Sequence, residues 1–492
     1  MIIKDLLERR KNETKVFAKF NKKSISYNEL YDFSKNSSEV ILKKYKNFGS
    51  NIAIYLPNSI DYLKAYFTIL FCNKIIVPID TKTRSQELES ILNYCEINLI
   101  VTNTVNLDLL QVALLDNDVN RKIQIINIDN IYYDDTIIDC ANISCSNNVD
   151  TDDVVILLHT SGTTSDPKRV MLTNKNLISN VESNIISIGF SQDDIFLIAL
   201  PMFFGYCNTA QILTCLYLGA SLVIFDGIFF PKKFFEVVNS EKITTFTAVP
   251  TMLISLLTYR HSYKYDISSL KSICFGGGFI SKKTINRLIN GFENINFIQT
   301  YGQTECSPRV TALLPEYMLK KIGSVGQPIP NVSICIMDKN NKQLNSNEIG
   351  EICVRGDNVM KGYYKNSFET SRAIIGDWLH TGDLGYIDND GFLFLTGRLK
   401  SLIISGGINI YPEEIEEIIK QFPCIKDVYV FGEYDDYLGE VPVAKIVVSQ
   451  DVSEKEVRDY CVKNLTSYKV PKRFYFCQSI DKTYNGKTKR VK

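Results

Sequence analysis

The segment NIAIYLPNSIDYLKAYFTILFCNKIIVPIDTKTRSQELESILNYC, Asn51 to Cys95, alternates short apolar, β-branched runs with stretches of helical pattern. NIAIYL is followed by IDYLKAYFTILFC, and IIVPID by QELESILNYC. This alternation predicts doubly wound α/β layers around parallel sheets. Working outward, LIVTN and IQIINI extend the same set. A second set follows in DIFLIAL, SLVIFD, KKFFEVVNSEK, TTFTAVP, TMLISLLTYR and SICFGGG. From about Gly323 the texture changes to short strands with Gly turns, SICIMD, GEICVRG and GYIDNDGFLFLTG, which reads as a small antiparallel β unit. After Arg398 comes an α+β tail. There Pro412 starts a helix on which Ile415, Ile418, Ile419 and Phe422 recur at helical spacing, and Glu413, Glu414, Glu416 and Glu417 read as a solvated face.

Composition narrows the function. The 492 residues exceed one ordinary core. The 55 basic and 55 acidic residues cancel, which leaves no field for nucleic acid or an anionic membrane to read. The 13 cysteines are scattered singly, without the C-x-x-C spacing of a zinc or thioredoxin-like site, and read as reduced thiols. Charges interrupt the opening MIIKDLLERRKNE, and no later run approaches ~18 apolar residues. A cytoplasmic protein without membrane insertion is expected.

Between the two α/β sets lies LLHTSGTTSDPKRVML, Leu157 to Leu172, in which an apolar run breaks into seven small or polar residues, Thr160 to Asp166, before Pro167, Lys168 and Arg169. Hydroxyls and backbone N–H groups in such a loop can converge on one anion, with the lysine as counter-charge. It is not a Walker loop, because Pro167 stands where that motif has glycine. Its composition alone is equally that of a Ser/Thr-rich surface turn.

Five further segments follow in fixed order: Gly276 to Gly278 (GGG), Tyr301 to Glu305 (YGQTE), Trp378 to Gly385 (WLHTGDLG), Gly397 to Glu416 (GRLKSLIISGGINIYPEEIE) and Asn485 to Arg490 (NGKTKR). Each alone is weak. Together with the loop, and over nearly the whole chain, the set resembles the adenylate-forming superfamily of acyl-CoA synthetases, peptide-synthetase adenylation domains and firefly-type luciferases. The resemblance implies a large N-terminal AMP-binding domain, residues 1–397, of two doubly wound α/β subdomains plus a small β-barrel. A small mobile α+β C-terminal domain, residues 398–492, would follow.

The implied chemistry has two halves: a carboxylate attacks the α-phosphate of ATP to give acyl-AMP and pyrophosphate, and a thiol then displaces AMP. Two anions meet in the first half, so the site must supply positive charge and oriented donors. By resemblance, Thr160, Ser161, Gly162, Thr163, Thr164 and Lys168 would hold the β- and γ-phosphates. Tyr301 and Gly302 would line the nucleotide, and Thr304 and Glu305 would face the α-phosphate and Mg2+, for which a carboxylate is a suitable hard ligand. Asp383 would take the ribose hydroxyls, Arg398 the ribose or phosphates, and Lys487 would bridge the carboxylate and α-phosphate. Lys400 falls at the implied hinge. Phe204, Tyr206, Gly276, Gly277, Gly278, Gln299 and Val310 would form the acyl pocket.

Departures from the pattern bear on ATP and on substrate. Ser165 and Arg169 stand where the family has glycine, and if either position needs φ > 0 its side chain costs roughly 1 kcal/mol or more. Phe204 replaces a histidine common after PMF. No acid occurs in Gly205 to Asn208 to pair an ammonium group, which weighs against α-amino acids. An aryl acid or a medium-chain fatty acid remains, with CoA or the phosphopantetheine of an acyl or peptidyl carrier protein as acceptor. Two rivals stand beside the ligase: a luciferase-like oxidase, against which Ile404 weighs because the second lysine is missing there, and a non-catalytic acyl-adenylate-binding protein. Lys487→Ala is expected to abolish acyl-AMP formation while sparing thioester formation from supplied acyl-AMP; unchanged pyrophosphate release would refute that role.

Overall fold

The computed structural model describes all residues except 46–48, 84, 116–122, 132–148, 160–167, 260–264, 279, 407 and 483–492. The alternating segment folds as read. Strands Asn51–Tyr55 and Ile75–Ile79 are parallel neighbours, and helix Ile60–Phe71 crosses between them. Ser59 caps that helix by accepting from Tyr62 N at 3.1 Å, which satisfies one of its open N–H groups. Leu99–Thr102, Gln124–Asn127 and Val154–His159 extend the sheet in parallel, while Arg169–Thr173 and Gly362–Tyr363 close it antiparallel.

The second set forms the parallel half of a fourteen-stranded sheet, ordered Val16–Phe20, Ser221–Ile224, Ile195–Ile198, Thr245–Ala248, Ser272–Phe275 and Asn296–Tyr301. The N-terminal strand Val16–Phe20 pairs in parallel with Ser221–Ile224, far away in sequence, a pairing that no local pattern announces. At Asn296–Tyr301 the sheet changes character. Its neighbour Ser272–Phe275 is parallel and its other neighbour Thr311–Leu313 antiparallel. From there Ser324–Pro328, Leu393–Arg398, Trp378–Ile387, Gly350–Gly356 and Val332–Met337 continue antiparallel, the Gly-turn region of the sequence.

A third sheet gathers Ile403–Ser405, Ile408–Ile410, Ile425–Asp435, Gly439–Val448 and Arg473–Phe476. It packs on helices Pro412–Ile419 and Glu454–Asn464 around its own core of Ile403, Ile415, Val430, Ile446 and Val457. Ser453 and Glu456 cap the second helix reciprocally, at 2.9 and 3.3 Å. Among the described residues, no helix is long and apolar enough to cross a membrane.

Two local expectations are corrected. Arg169 is not in a left-handed turn: it opens strand Arg169–Thr173 with no positive φ, and its side chain is 2% exposed, so the proposed backbone strain does not arise there. Ser165 lies outside the described residues. The glutamates of helix Pro412–Ile419 are not all solvated either. Glu416 is buried beside Ile415 and Ile419, and its Oε1 accepts from Val430 N at 2.9 Å. The side chain faces the strand because it completes that strand's hydrogen bonding. Glu416→Ala leaves the Val430 N–H buried without this acceptor and is expected to destabilise the protein by about 1–3 kcal/mol in urea denaturation.

Candidate active site

Strand Asn296–Tyr301 divides the site, because successive side chains point to opposite faces. On one face Thr300 Oγ1 meets the Tyr206 hydroxyl at 2.9 Å. On the other the buried Tyr301 hydroxyl donates to Asp383 Oδ2 at 2.8 Å. Burial, first, and the neighbouring Asp383 charge hold the Tyr301 phenol well above its usual range, so it stays a donor.

Asp383 sits on strand Trp378–Ile387, in register with Arg398 on Leu393–Arg398. The buried carboxylate accepts from Arg398 Nε at 2.7 Å. Each oxygen therefore has one protein donor and keeps a second lone pair for a ligand. Glu351 braces this turn: Oε1 accepts from Gly382 N at 2.9 Å and Oε2 lies 2.8 Å from His380 Nδ1. Gly382 itself takes φ +71°, a left-handed conformation that glycine adopts without cost.

Beyond Tyr301 the chain turns through Gly302, where Pro308 O leaves no room for a Cβ, into the short helix Thr304–Cys306. Glu305 Oε1 accepts from Tyr363 Oη at 2.9 Å. The Tyr363 ring lies 4.8 Å beneath Lys168 Nζ, and that ammonium is also paired with Glu369. A polar chain thus runs from Lys168 through Tyr363 to Glu305, beside a second from Tyr301 through Asp383 to Arg398. Lys168, Glu305, Asp383 and Arg398 are brought together; the charges of Asp383 and Arg398 both act on Glu305. Glu305 would supply the hard oxygen that Mg2+ requires, next to Thr304, and a carboxylate with a neighbouring hydroxyl fits that ion.

The acyl-side residues separate. Tyr206 lies in the short helix Gly205–Cys207, which follows Phe204, whose ring packs on Phe203 with centroids 4.5 Å apart. Gly276 follows strand Ser272–Phe275 so closely against Thr300 that any side chain would clash, and Gly277 takes φ +77°. Gln299 is turned to the face away from Tyr206, which meets Thr300. Val310 is fully buried in the core, its amide donating to Tyr301 O at 2.9 Å. Lys400 is exposed in the short turn Leu399–Ser401. Thr160, Ser161, Gly162, Thr163, Thr164 and Lys487 lie outside the described residues. Tyr363, Glu369, Glu351 and Thr300 were missed by sequence reasoning: Tyr363 is 58 positions from Glu305, and no spacing rule links them.

His159, the last residue of strand Val154–His159, has its pKa lowered to about 4 by burial and then by Arg169, so it is neutral near pH 7. Burial raises the Glu305 pKa, while the Tyr363 hydrogen bond and Arg398 pull it down. Metal ligation by Glu305 would need the ionised form, so activity is expected to fail on acidification at a pH above the ordinary glutamate range. Tyr363→Phe removes a hydrogen bond to that ionised form, and the acid limb of kcat/KM for pyrophosphate release is expected to move to higher pH; an unmoved limb would sink this assignment.

The model of the AMP-binding enzyme family matches residues 6–364, and that of the AMP-binding enzyme C-terminal domain residues 414–487. A 2-succinylbenzoate–CoA ligase of Oceanobacillus iheyensis is 30% identical over 95% of this chain and 93% of its own length. A 4-coumarate–CoA ligase of Narcissus pseudonarcissus is 30% identical over 96% of this chain and 88% of its own. Among solved structures, the o-succinylbenzoate CoA synthetase MenE of Bacillus subtilis in complex with the acyl-adenylate intermediate OSB-AMP superposes with a TM-score of 0.88 at 28% identity, covering 100% of this chain and 97% of that one. The same enzyme in complex with ATP and magnesium ion superposes with a TM-score of 0.87, also at 28% identity, covering 99% and 98%. The chain belongs to the AMP-binding enzyme family, and it is an AMP-forming acid–thiol ligase.

Proposed function

We propose that the protein activates an aromatic carboxylic acid with ATP and transfers the acyl group from acyl-AMP to CoA, in the cytoplasm. The observation that carries this reading is the placement of Thr300 and Tyr301 on opposite faces of one strand. Thr300 joins Tyr206 and Gly276 in a wall suited to a flat group, and Tyr301 holds Asp383 and Arg398 for the nucleotide. Aromatic acids bound as CoA esters are also what the names of the ligases from Oceanobacillus iheyensis and Narcissus pseudonarcissus describe, which favours an aryl acid over a medium-chain fatty acid and CoA over a carrier protein.

In this reading Asp383 accepts from the ribose hydroxyls and Arg398 stays beside it. Lys168 exchanges Glu369 for the phosphates, assisted by Thr160, Ser161, Gly162, Thr163 and Thr164. Thr304 and Glu305 hold Mg2+, which when bound neutralises charge shared between the phosphates. Lys487 approaches the α-phosphate from the C-terminal domain, residues 398–492, which swings about Lys400. Gly397 packs against Glu413 and Tyr411 at that junction, so a rotation of the tail has to release this contact.

A panel of aryl and fatty acids assayed for pyrophosphate release, followed by addition of CoA or a phosphopantetheinyl carrier protein, tests the reading. Turnover of aryl acids with CoA is expected. Release confined to fatty acids, or an acyl group passed to the carrier but not to CoA, would overturn it.

A further inference from the structure

We propose that Glu351, Cys353 and His380 form a binding site for a thiophilic divalent cation of the zinc class, distinct from the proposed Mg2+ ligand Glu305 and coupled to the nucleotide side through the turn before Asp383. Among the described residues they are the one group of three metal-ligating side chains whose ligand atoms all lie within 4.8 Å of one another. Strands Gly350–Gly356 and Trp378–Ile387 create the cluster. Cys353 stands directly opposite His380 in their antiparallel pairing, and Glu351, two positions before Cys353, shares its face. The register shifts between Glu351 and Cys353, and the Glu351 carboxylate meets both His380 Nδ1 and Gly382 N.

His380 Nδ1 stands 3.5 Å from Cys353 Sγ and 2.8 Å from Glu351 Oε2. Nδ1 carries at most one hydrogen, which cannot serve the sulfur and the carboxylate with a full hydrogen bond each. A cation in its place is bound by all three atoms. Tetrahedral zinc, with bonds of about 2.3 Å to sulfur and about 2.0–2.2 Å to nitrogen and oxygen, sets ligand atoms roughly 3.5 Å apart for S and N and roughly 3.3 Å apart for N and O. The sulfur–nitrogen spacing is therefore already that of a zinc site, and the carboxylate oxygen has to withdraw by roughly 0.5 Å. A histidine–carboxylate brace alone needs no thiol, whereas sulfur beside imidazole and carboxylate is the mixed donor set that zinc takes.

Charge and access agree with this. The thiolate and the carboxylate together neutralise a divalent ion, so burying it leaves no uncompensated charge. Binding releases the Cys353 thiol proton and, where Nδ1 holds one, its hydrogen to solvent; no electron is transferred. Cys353 is fully buried, but the side chains of His380 and Glu351 are 8% and 19% exposed, which gives the ion its approach and leaves the fourth position to water. Glu351 Oε1 at the same time accepts from Gly382 N at 2.9 Å. An ion on Oε2 thus fixes the carboxylate that braces the turn presenting Asp383.

Tag-free full-length protein, stripped of metal by a chelator and kept reduced, is titrated with Co2+ and then Zn2+. One equivalent of Co2+ is expected to give a thiolate-to-metal charge-transfer band with the ligand-field absorption of a four-coordinate ion. One equivalent of Zn2+ should bleach both, and an excess of Mg2+ should not, because that hard ion takes oxygen ligands. Cys353→Ser should abolish the charge-transfer band. His380→Gln should weaken binding by at least the roughly 10–100-fold that even outer-sphere partners of a metal site are worth. Cys424→Ser, which removes a partly exposed thiol elsewhere, should change nothing. Absence of the band in wild type, its survival in Cys353→Ser or its loss in Cys424→Ser overturns the site, and the wild-type spectrum decides even where a variant fails to fold. Zn2+ is also expected to tighten AMP binding roughly 5-fold or more in calorimetry; an unchanged Kd for AMP overturns the coupling to Asp383 while the site stands.

Discussion

The alternation of side chains along strand Asn296–Tyr301 is the constraint on which the site depends. One residue step separates Thr300, tied to Tyr206, from Tyr301, tied to Asp383. A shift of register by one position would exchange the two faces and dissolve both sides at once. That register is fixed from two directions, by parallel pairing to Ser272–Phe275 and antiparallel pairing to Thr311–Leu313. The strand is therefore where the doubly wound part of the molecule and its antiparallel part become one sheet, and where acyl and nucleotide groups would be brought together.

Around this strand the charged residues are held by partners that a nucleotide can replace or join. Lys168 is paired with Glu369, Glu305 accepts from Tyr363, and Asp383 accepts from Tyr301 and Arg398. Each group is positioned in advance, so little reorganisation is left for the moment when charge moves in the reaction. Tyr363 matters twice, with its hydroxyl on Glu305 and its ring beneath Lys168, and it joins the sheet that carries Lys168 and Arg169 to the turn that carries Glu305.

Much of this was legible in residue order. Asn51–Tyr55, Ile60–Phe71 and Ile75–Ile79 appear where NIAIYL, IDYLKAYFTILFC and IIVPID place them, because burial of a strand or of a helix face imposes a period that survives in sequence. Motif spacing led to Glu305, Asp383, Arg398 and Lys168, which the fold brings together. It did not lead to Tyr363 or Glu369. A tyrosine or glutamate reads as ordinary in a string, and its meaning depends on what lies across a sheet from it.

The sequence by itself determined the alternating α/β layers, the switch to short antiparallel strands near Gly323, and the family to which the chain belongs, since local periodicity and ordered motifs are properties of the chain alone. Only the tertiary structure decided that Val16–Phe20 pairs with Ser221–Ile224, that Thr300 rather than Gln299 faces Tyr206, that Glu416 turns inward to Val430, and that Arg169 is extended and buried. Those outcomes rest on contacts between residues far apart in the chain, where burial and hydrogen-bond satisfaction are settled jointly and no single segment carries the answer.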